Sequence, residues 1–573
     1  MMVGRWSRFR RGLVEQYPAL DPASPRYRWL VLAGVMIVTF MAVLDMTIVN
    51  VALPKLMATF GVSVDHVDWV LTAYLLIFGV VLPSSGWLAD HVGYKRTFIG
   101  GLLLFILGSF LCSLAWSLNV LIVFRVVQGA GAGLVMPIGM AIVTREFPPD
   151  KRGIALGFWS MASSASVSLG PTLGGYLIDH YSWHMIFDVN VPVGLFGLVV
   201  LLIVLREYRT ENTRSFDLAG FLSLSVFLTS LLLALSSGNS AWNTGGWTST
   251  YILVCFGVAA ASLVTFLFME LGADHPLIDL RLFGNFNFGV SNIAMFLFGL
   301  GMFGSTFLLP VYLQNSLNYT PLQAGLVFLP VGVMQGLAAP LAGIYTDRHN
   351  PKVPLILGLS IMAITFYQFS FLSLQSETKE IMVPLYLRGF AMGILFPPLT
   401  TLAISEIANH RMAQASAMIN VIRQIGGSVG VAIFGSILIQ RANYHTTMYG
   451  TQVDPQSPMF QRTLMRMQYA IQHAGGGTLQ QASVQARALL GSHLGQQAFV
   501  AAVDDVFLVV GGVLILCLLP IFFLRAHKKP RKPSPGAGAG RALGSGPVAA
   551  SALSVETGPA GKVAGPSVSR GRE

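Results

Sequence analysis

The chain has 573 residues, 54% of them hydrophobic and 11% charged, with a mean hydropathy of +0.65 and a formal net charge of +11. That balance excludes an ordinary soluble globular domain. It also excludes a nucleic-acid footprint, because a basic stripe for phosphates needs a soluble face that the sequence lacks.

Fourteen apolar runs are long enough to cross a bilayer as helices. They are Trp29 to Val51, Val67 to Ala89, Thr97 to Trp116, Val120 to Thr144, Gly153 to Ile178, Ile186 to Leu205, Leu218 to Ser236, Ser249 to Met269, Phe288 to Leu313, Gln323 to Tyr345, Val353 to Leu372, Met382 to Ile404, Ala415 to Ile439 and Val506 to Leu524. With the N-terminus inside, the inner segments gather most Lys and Arg, from Arg5 through Lys95, Arg96, Arg145, Lys151 and Lys352 to the cluster Arg525 to Lys532. Short cytoplasmic loops are enriched in these residues, so both termini are expected to be cytoplasmic in a multi-pass protein of the inner membrane. The basic start leads straight into a full-length span, which reads as an uncleaved anchor. Cys112, Cys255 and Cys517 all fall inside spans and imply no disulfide framework.

Asp45 is the most informative residue of the first run. A carboxylate at that depth costs at least about 2.5 kcal/mol, so it calls for a charged partner, a proton or a substrate pathway. Counted at about 1.5 Å per residue, Asp45 lies roughly 9 Å and Arg125 roughly 7.5 Å from the outer ends of the first and fourth helices. They sit at similar depth, which makes them candidates for a pair.

An internal repeat organises the chain. GWLADHVGYKRTFIGGLLL from Gly86 recurs loosely as GIYTDRHNPKVPLILGLSI from Gly343, and QGAGAGLVMP from Gln128 as RGFAMGILFP from Arg388. Two parallel six-helix halves with substrate at the midplane between them is a transporter plan. The expected fold is all-α and integral to the membrane, divided as a basic segment 1–28, a six-helix bundle 29–205, two inserted helices within 206–287, a second bundle 288–524 with an outer loop 440–505, and a disordered tail 525–573.

These residues carry a resemblance. LDMTIVNVALP, GWLADHVGYKR, RVVQGAGAG from Arg125 and LGPTLGG from Leu169 match, in order, the first-helix, loop, fourth-helix and fifth-helix motifs of the fourteen-helix drug:proton antiporter family of the major facilitator superfamily. FDVNVPVG from Phe187 and LPVYLQ from Leu309 are similar to further stretches of that family, and within it the chain looks like an Emr-type multidrug efflux permease. His91, Tyr94, Ser166 and Asp188 depart from the family's usual residues.

The resemblance implies that helices one and four line one cavity, where separating Arg125 from Asp45 would release the carboxylate to take a proton; a static pair that only fixes packing is the alternative. It implies a cytoplasmic latch at Gly86, Asp90, Gly93, Lys95 and Arg96, where glycines permit a sharp turn; a plain topology anchor is the alternative. It also implies a sealing contact at Gly170, Pro171, Gly174 and Gly175, whose small residues permit close crossing while the proline kinks the helix; ordinary kinked packing is the alternative. Arg423, Gln314, Asn190 and Asp188 are further polar candidates for the cavity, with an interfacial acid as the plainer reading of Asp188. Arg388 is read as reaching toward the outer boundary.

GGSVG from Gly426 and GLGMFG from Gly299 lie inside apolar helices, without the strand-turn-helix setting of a hydrolase or dinucleotide site. No phosphate-loop motif is present, and His and Cys show no metal-ligand clustering, so no enzyme, cofactor or metal site is expected. In the outer loop, Phe460, Leu464, Met467 and Ile471 recur at helical spacing, and Thr478 with Gln481 forms a capping box for a second helix. That hairpin could dock the periplasmic adaptor, with its outer-membrane channel, that the resemblance implies, or cap the pore. Arg5 to Tyr17 reads as an amphipathic helix on the inner leaflet. The expected function is proton-coupled antiport of lipophilic or amphiphilic drugs by alternating access; a transporter for one endogenous metabolite and an uptake symporter are the alternatives.

Overall fold

The computed structural model describes residues 21, 24–208, 216–240, 242–273, 276, 278–408, 411–475 and 478–524. The expected helix at Arg5 to Tyr17 and the tail after Lys532 lie outside the described residues. Among the described residues there is no strand; the chain runs as α1 (Tyr27–Phe60), α2 (Trp69–Val81), α3 (Ser84–Val92), α4 (Tyr94–Ser113), α5 (Leu118–Glu146), α6 (Arg152–His180), α7 (Asn190–Val204), α8 (Leu218–Ser237) and α9 (Thr250–Gly272). It continues as α10 (Phe286–Thr306), α11 (Leu308–Asn315), α12 (Pro321–Arg348), α13 (Lys352–Phe369), α14 (Thr378–Ile404), α15 (Met412–Gln452), α16 (Pro458–Gly475) and α17 (Leu479–Leu516).

Twelve stretches are long and apolar enough to cross a membrane, and a thirteenth is α2 with α3, bent by 54°. Pro83 stands at that bend, removing a backbone donor and crowding the preceding turn. The fifth expected span corresponds to α6, which is 29 residues long but too rich in Gly and Ser to reach the same hydropathy. Its five glycines and five serines serve packing instead.

The largest departure from expectation is at 440–505. The thirteenth span does not stop at Ile439, because α15 runs 41 residues to Gln452, and α17 begins 27 residues before Val506. Hydropathy changes at the membrane boundary while the backbone hydrogen-bond ladder continues through Ala, Gln and Arg, which are adequate helix formers. Two spanning helices thus project beyond the apolar slab, at about 1.5 Å per residue. Thr478 and Gln481 cap α17 reciprocally, and Leu464 of α16 is buried against it.

The first and second helix sets meet most extensively where α6 crosses α12. Their backbones touch. Gly153 faces Gly343, Gly157 faces Ala339 and Pro340, Gly332 faces Ser168, and Gly325 faces Pro171. At Gly157 a side chain would stand 2.7 Å from the Pro340 Cα, with no flexible atom to yield. Gly157→Leu should therefore lower the thermal unfolding midpoint, by the equivalent of about 1–3 kcal/mol of overpacking or more. Gly100→Leu, at a site with nothing within 4 Å, should leave it level or raise it.

Candidate functional site

Five helices converge on Asp45. It projects from α1 and is fully buried, at 0% exposure. Arg125 Nη1 donates to Asp45 Oδ2 at 2.6 Å, while Gln128 Nε2 and Asn190 Nδ2 donate to Oδ1 at 2.8 and 2.9 Å. The i, i+3 spacing of Arg125 and Gln128 puts both on one face of α5, and Arg125 Nη1 also donates to Gln128 Oε1 at 2.7 Å. Ser109 of α4 accepts from Gln128 and Asn190 at 3.0 and 3.1 Å and donates to the Phe187 carbonyl at 2.9 Å. From α2, the Val70 carbonyl accepts from Arg125 Nε at 3.2 Å, and the Tyr74 ring lies 4.0 Å beneath the guanidinium.

The structure thus brings Asp45, Arg125 and Asn190 together. Both charged groups are fully buried here, with partners drawn from α2, α5 and α7. Arg125 Nη2, the Tyr74 hydroxyl and Asn190 Oδ1 stay buried without a hydrogen-bond partner. Sequence reading passed over Gln128, Ser109 and Tyr74, although Gln128 stands three residues after Arg125 inside the quoted motif.

The loop motif folds as a charged turn. Gly93 adopts φ +112°, a conformation that side chains disfavour. Tyr94 donates to Asp90 Oδ1 at 3.1 Å, Lys95 Nζ closes the end of the sixth span on the Leu202 and Leu205 carbonyls at 2.8 and 2.6 Å, and Arg96 lies 3.6 Å from Glu207. Burial raises the Glu207 carboxyl from its ordinary range, with Lys95 and Arg96 offsetting part of this. The cation that the motif lacks at Tyr94 comes from elsewhere: Arg145 of α5 stacks 4.9 Å above that ring. His91 stacks on Trp87. Gly86 abuts the Gln414 backbone at the start of α15, so a side chain there would stand 3.2 Å from it. In the repeat, Asp347 occupies the place of Asp90 and accepts from the Gly153 and Ile154 amides at 2.9 Å, capping α6.

The fifth-helix motif divides its contacts. Gly170 and Gly174 lie against Thr47 and Ile48 of α1, within three residues of Asp45, whereas Pro171 and Gly175 lie against Gly325 and Leu322 of α12. Ser166, in place of a glycine, donates to the Phe40 and Ala162 carbonyls at 2.8 Å. Where the sets face each other near their centre, Trp159 stacks on Phe396, Arg423 lies 5.4 Å from the same ring and donates to Asn420 at 2.7 Å, and Asn420 reaches Met140.

Asp188 is half-buried at the end of the turn Met185–Asp188, and Gln314 is exposed on α11, apart from these groups. Arg388 does not reach toward the boundary: it is 2% exposed and stacks 5.5 Å from Phe366, because α13 covers its face of α14. Among the described residues no group of three His, Cys, Asp or Glu is placed to hold a metal ion.

The profile of the Major Facilitator Superfamily matches residues 35–431. The chain belongs to this superfamily. It is 32% identical to the multidrug export protein EmrB of Escherichia coli over 88% of its own length and 95% of the relative's, and 30% identical to the fatty acid resistance protein FarB of Neisseria gonorrhoeae over 91% and 99%. The human organic anion transporter MFSD10 superposes with a TM-score of 0.56 at 13% identity, covering 88% of this chain and all of that one. That likeness concerns the fold.

Within this member of the superfamily, Asp45 and Arg125 are the costly groups. Truncating one partner of a buried pair costs about 3–5 kcal/mol, because the other charge is stranded. Asp45→Ala should therefore lower thermal stability in detergent more than Asp45→Ala combined with Arg125→Met. A double variant no more stable than Asp45→Ala would show that the pair does not act as a unit.

Proposed function

We propose that this protein is a proton-coupled antiporter that exports lipophilic or amphiphilic compounds across the cytoplasmic membrane by alternating access, with both termini on the cytoplasmic side. One observation carries the reading. Asp45, a fully buried acid on α1, sits beside the α1 surface that Gly170 and Gly174 of α6 touch, and α6 is also the helix that meets the second set. Proton uptake by Asp45 would replace a carboxylate by a neutral acid and leave Arg125 to find other acceptors. The α1–α6 contact is then the route by which that change reaches α12. Gly86 on α15, and Asp347 on α6, supply the latch that holds the cytoplasmic side shut.

The names of EmrB and FarB, a multidrug exporter and a fatty acid resistance protein, support an apolar or amphiphilic substrate. The ring pair Trp159 and Phe396, with Arg423, gives such a compound an aromatic surface and a cation between the halves. In proteoliposomes, Asp45→Asn should insert normally and abolish substrate accumulation driven by an imposed proton gradient. Arg125→Lys keeps the charge but not the planar fork, and should retain part of the activity. Gradient-driven accumulation by Asp45→Asn would defeat the coupling role.

The hairpin of α16 and α17 is the surface assigned to a periplasmic adaptor, itself joined to an outer-membrane channel. Met459, Met465 and Tyr469 are its exposed apolar groups on α16. Replacing 461–485 with a short Gly/Ser linker should abolish resistance in cells with two membranes while transport by the purified protein persists. Equal loss in both assays would make the hairpin a pore cap instead.

A further inference from the structure

The two inserted helices end on a pair of acids. Asp217 is the N-cap of α8, its Oδ1 accepting from the Gly220 amide at 2.8 Å. Glu270 lies in the last turn of α9, 3% exposed, with one oxygen accepting from the Ile278 amide. The other oxygen of each, Asp217 Oδ2 and Glu270 Oε2, is buried with no N–H or hydroxyl donor among the described residues. These two oxygens converge over Gly220: a side chain there would collide with Asp217 Oδ2 and stand 2.8 Å from Glu270 Oε2. The two carboxyls thus meet beside Gly220, each presenting its unpartnered oxygen to the same point.

Two buried carboxyl oxygens that meet without a donor favour a shared proton, because each negative charge opposes the ionisation of its neighbour. The helix dipoles favour one arrangement. Asp217 meets the positive end of α8, whereas Glu270 meets the negative end of α9. We propose that Asp217 and Glu270 form a second proton-binding site, in which a neutral Glu270 donates to an ionised Asp217 at the foot of the inserted helices.

The position of this site links it to the latch. Phe216, one residue before Asp217, packs on Trp87 of α3, whose other stacking partner is His91. On the α9 side, Ile278 hangs from Glu270, and the next residue, Asp279, pairs with Arg411 at 3.0 Å, at the N-cap of α15. Asn285 and Asn287 fasten the same connection to Glu406 at 2.6 and 2.9 Å. Among the described residues, Asp279 is the charged group that acts on Glu270 besides Asp217, while Arg411, His91 and Glu406 lie one or more contacts further along these connections. Losing the shared proton leaves two buried anions side by side, drives Glu270 from Asp217 and loosens the clasp on the first turn of α15, where Gly86 docks.

Infrared spectroscopy of the full-length protein in lipid bilayers tests this directly. At about pH 7, where an exposed carboxyl with pKa near 4 is ionised, the wild type should retain a carboxylic-acid C=O band that Glu270→Gln removes. Asp217→Asn should weaken proton affinity at that band by about tenfold or more, because its like-charged neighbour is gone. A wild-type band that Glu270→Gln leaves undiminished, or one whose titration Asp217→Asn leaves in place, would overturn the pair. For the clasp, amide exchange over 412–416, divided by the intrinsic rate, should rise in the wild type as the band titrates and stay level in Glu270→Gln. A level wild-type profile would overturn the link. Neither readout needs transport, so failure here is distinguishable from failure of the efflux reading.

Discussion

Burying one carboxylate in a hydrocarbon slab dictates the arrangement of the first helix set. Asp45 needs donors from every direction, and no single helix can supply them: α5 gives Arg125 and Gln128, and α7 gives Asn190. Arg125 in turn requires the Val70 carbonyl and the Tyr74 face from α2, and Ser109 of α4 closes the ring. A carboxylate with three donors is better satisfied than a neutral acid in the same place. The network is therefore both a packing device for five helices and a point where one proton changes the balance. Both consequences follow from the same desolvation cost.

That balance matters beyond the first set because of α6. Its glycines and serines let it approach α1 on one side and α12 on the other at backbone distance. Interfaces packed this tightly do not deform gradually; they hold one arrangement or another. α6 thus joins the α1 segment at Thr47 and Ile48 to α12 through close-packed backbone on both sides. At the opposite end of α6, Asp347 caps the helix from the other set and fixes the same crossing electrostatically. The low hydropathy of α6 is the cost of this role.

Legibility in the sequence followed the physics of each feature. Apolar length announced most of the spanning helices, because the bilayer demands it, and the Thr478 capping box announced the start of α17 because its geometry is local. Asp45 and Arg125 stood out by their cost at depth. Their additional partners did not: Gln128 and Ser109 are unremarkable in membrane helices, and only the crossing of α4, α5 and α7 reveals that they converge. The continuation of α15 and α17 beyond the apolar slab was equally hidden, since hydropathy measures the solvent and not the backbone. Arg145 supplying a cation above Tyr94 depends on a contact 51 positions away, beyond the reach of any motif.

The repeat makes the two halves similar in scaffold and unlike in charge. Gln128 in the first half corresponds to Arg388 in the second, where the guanidinium stacks on Phe366 and its Nε and Nη1 have no hydrogen-bond partner. Among the described residues Arg388 makes no ion pair. The ring offsets part of the burial, by about 0.5–2 kcal/mol, and the rest is borne by the fold. A carboxylate satisfied by three donors in one half thus has no counterpart at the repeat-related position of the other, which carries a cation set against an aromatic ring. If Asp45 takes a proton in a transport cycle, the charge at this position would change in the first half while Arg388 keeps its own, so the bias on the relative motion of the halves would arise from one of them.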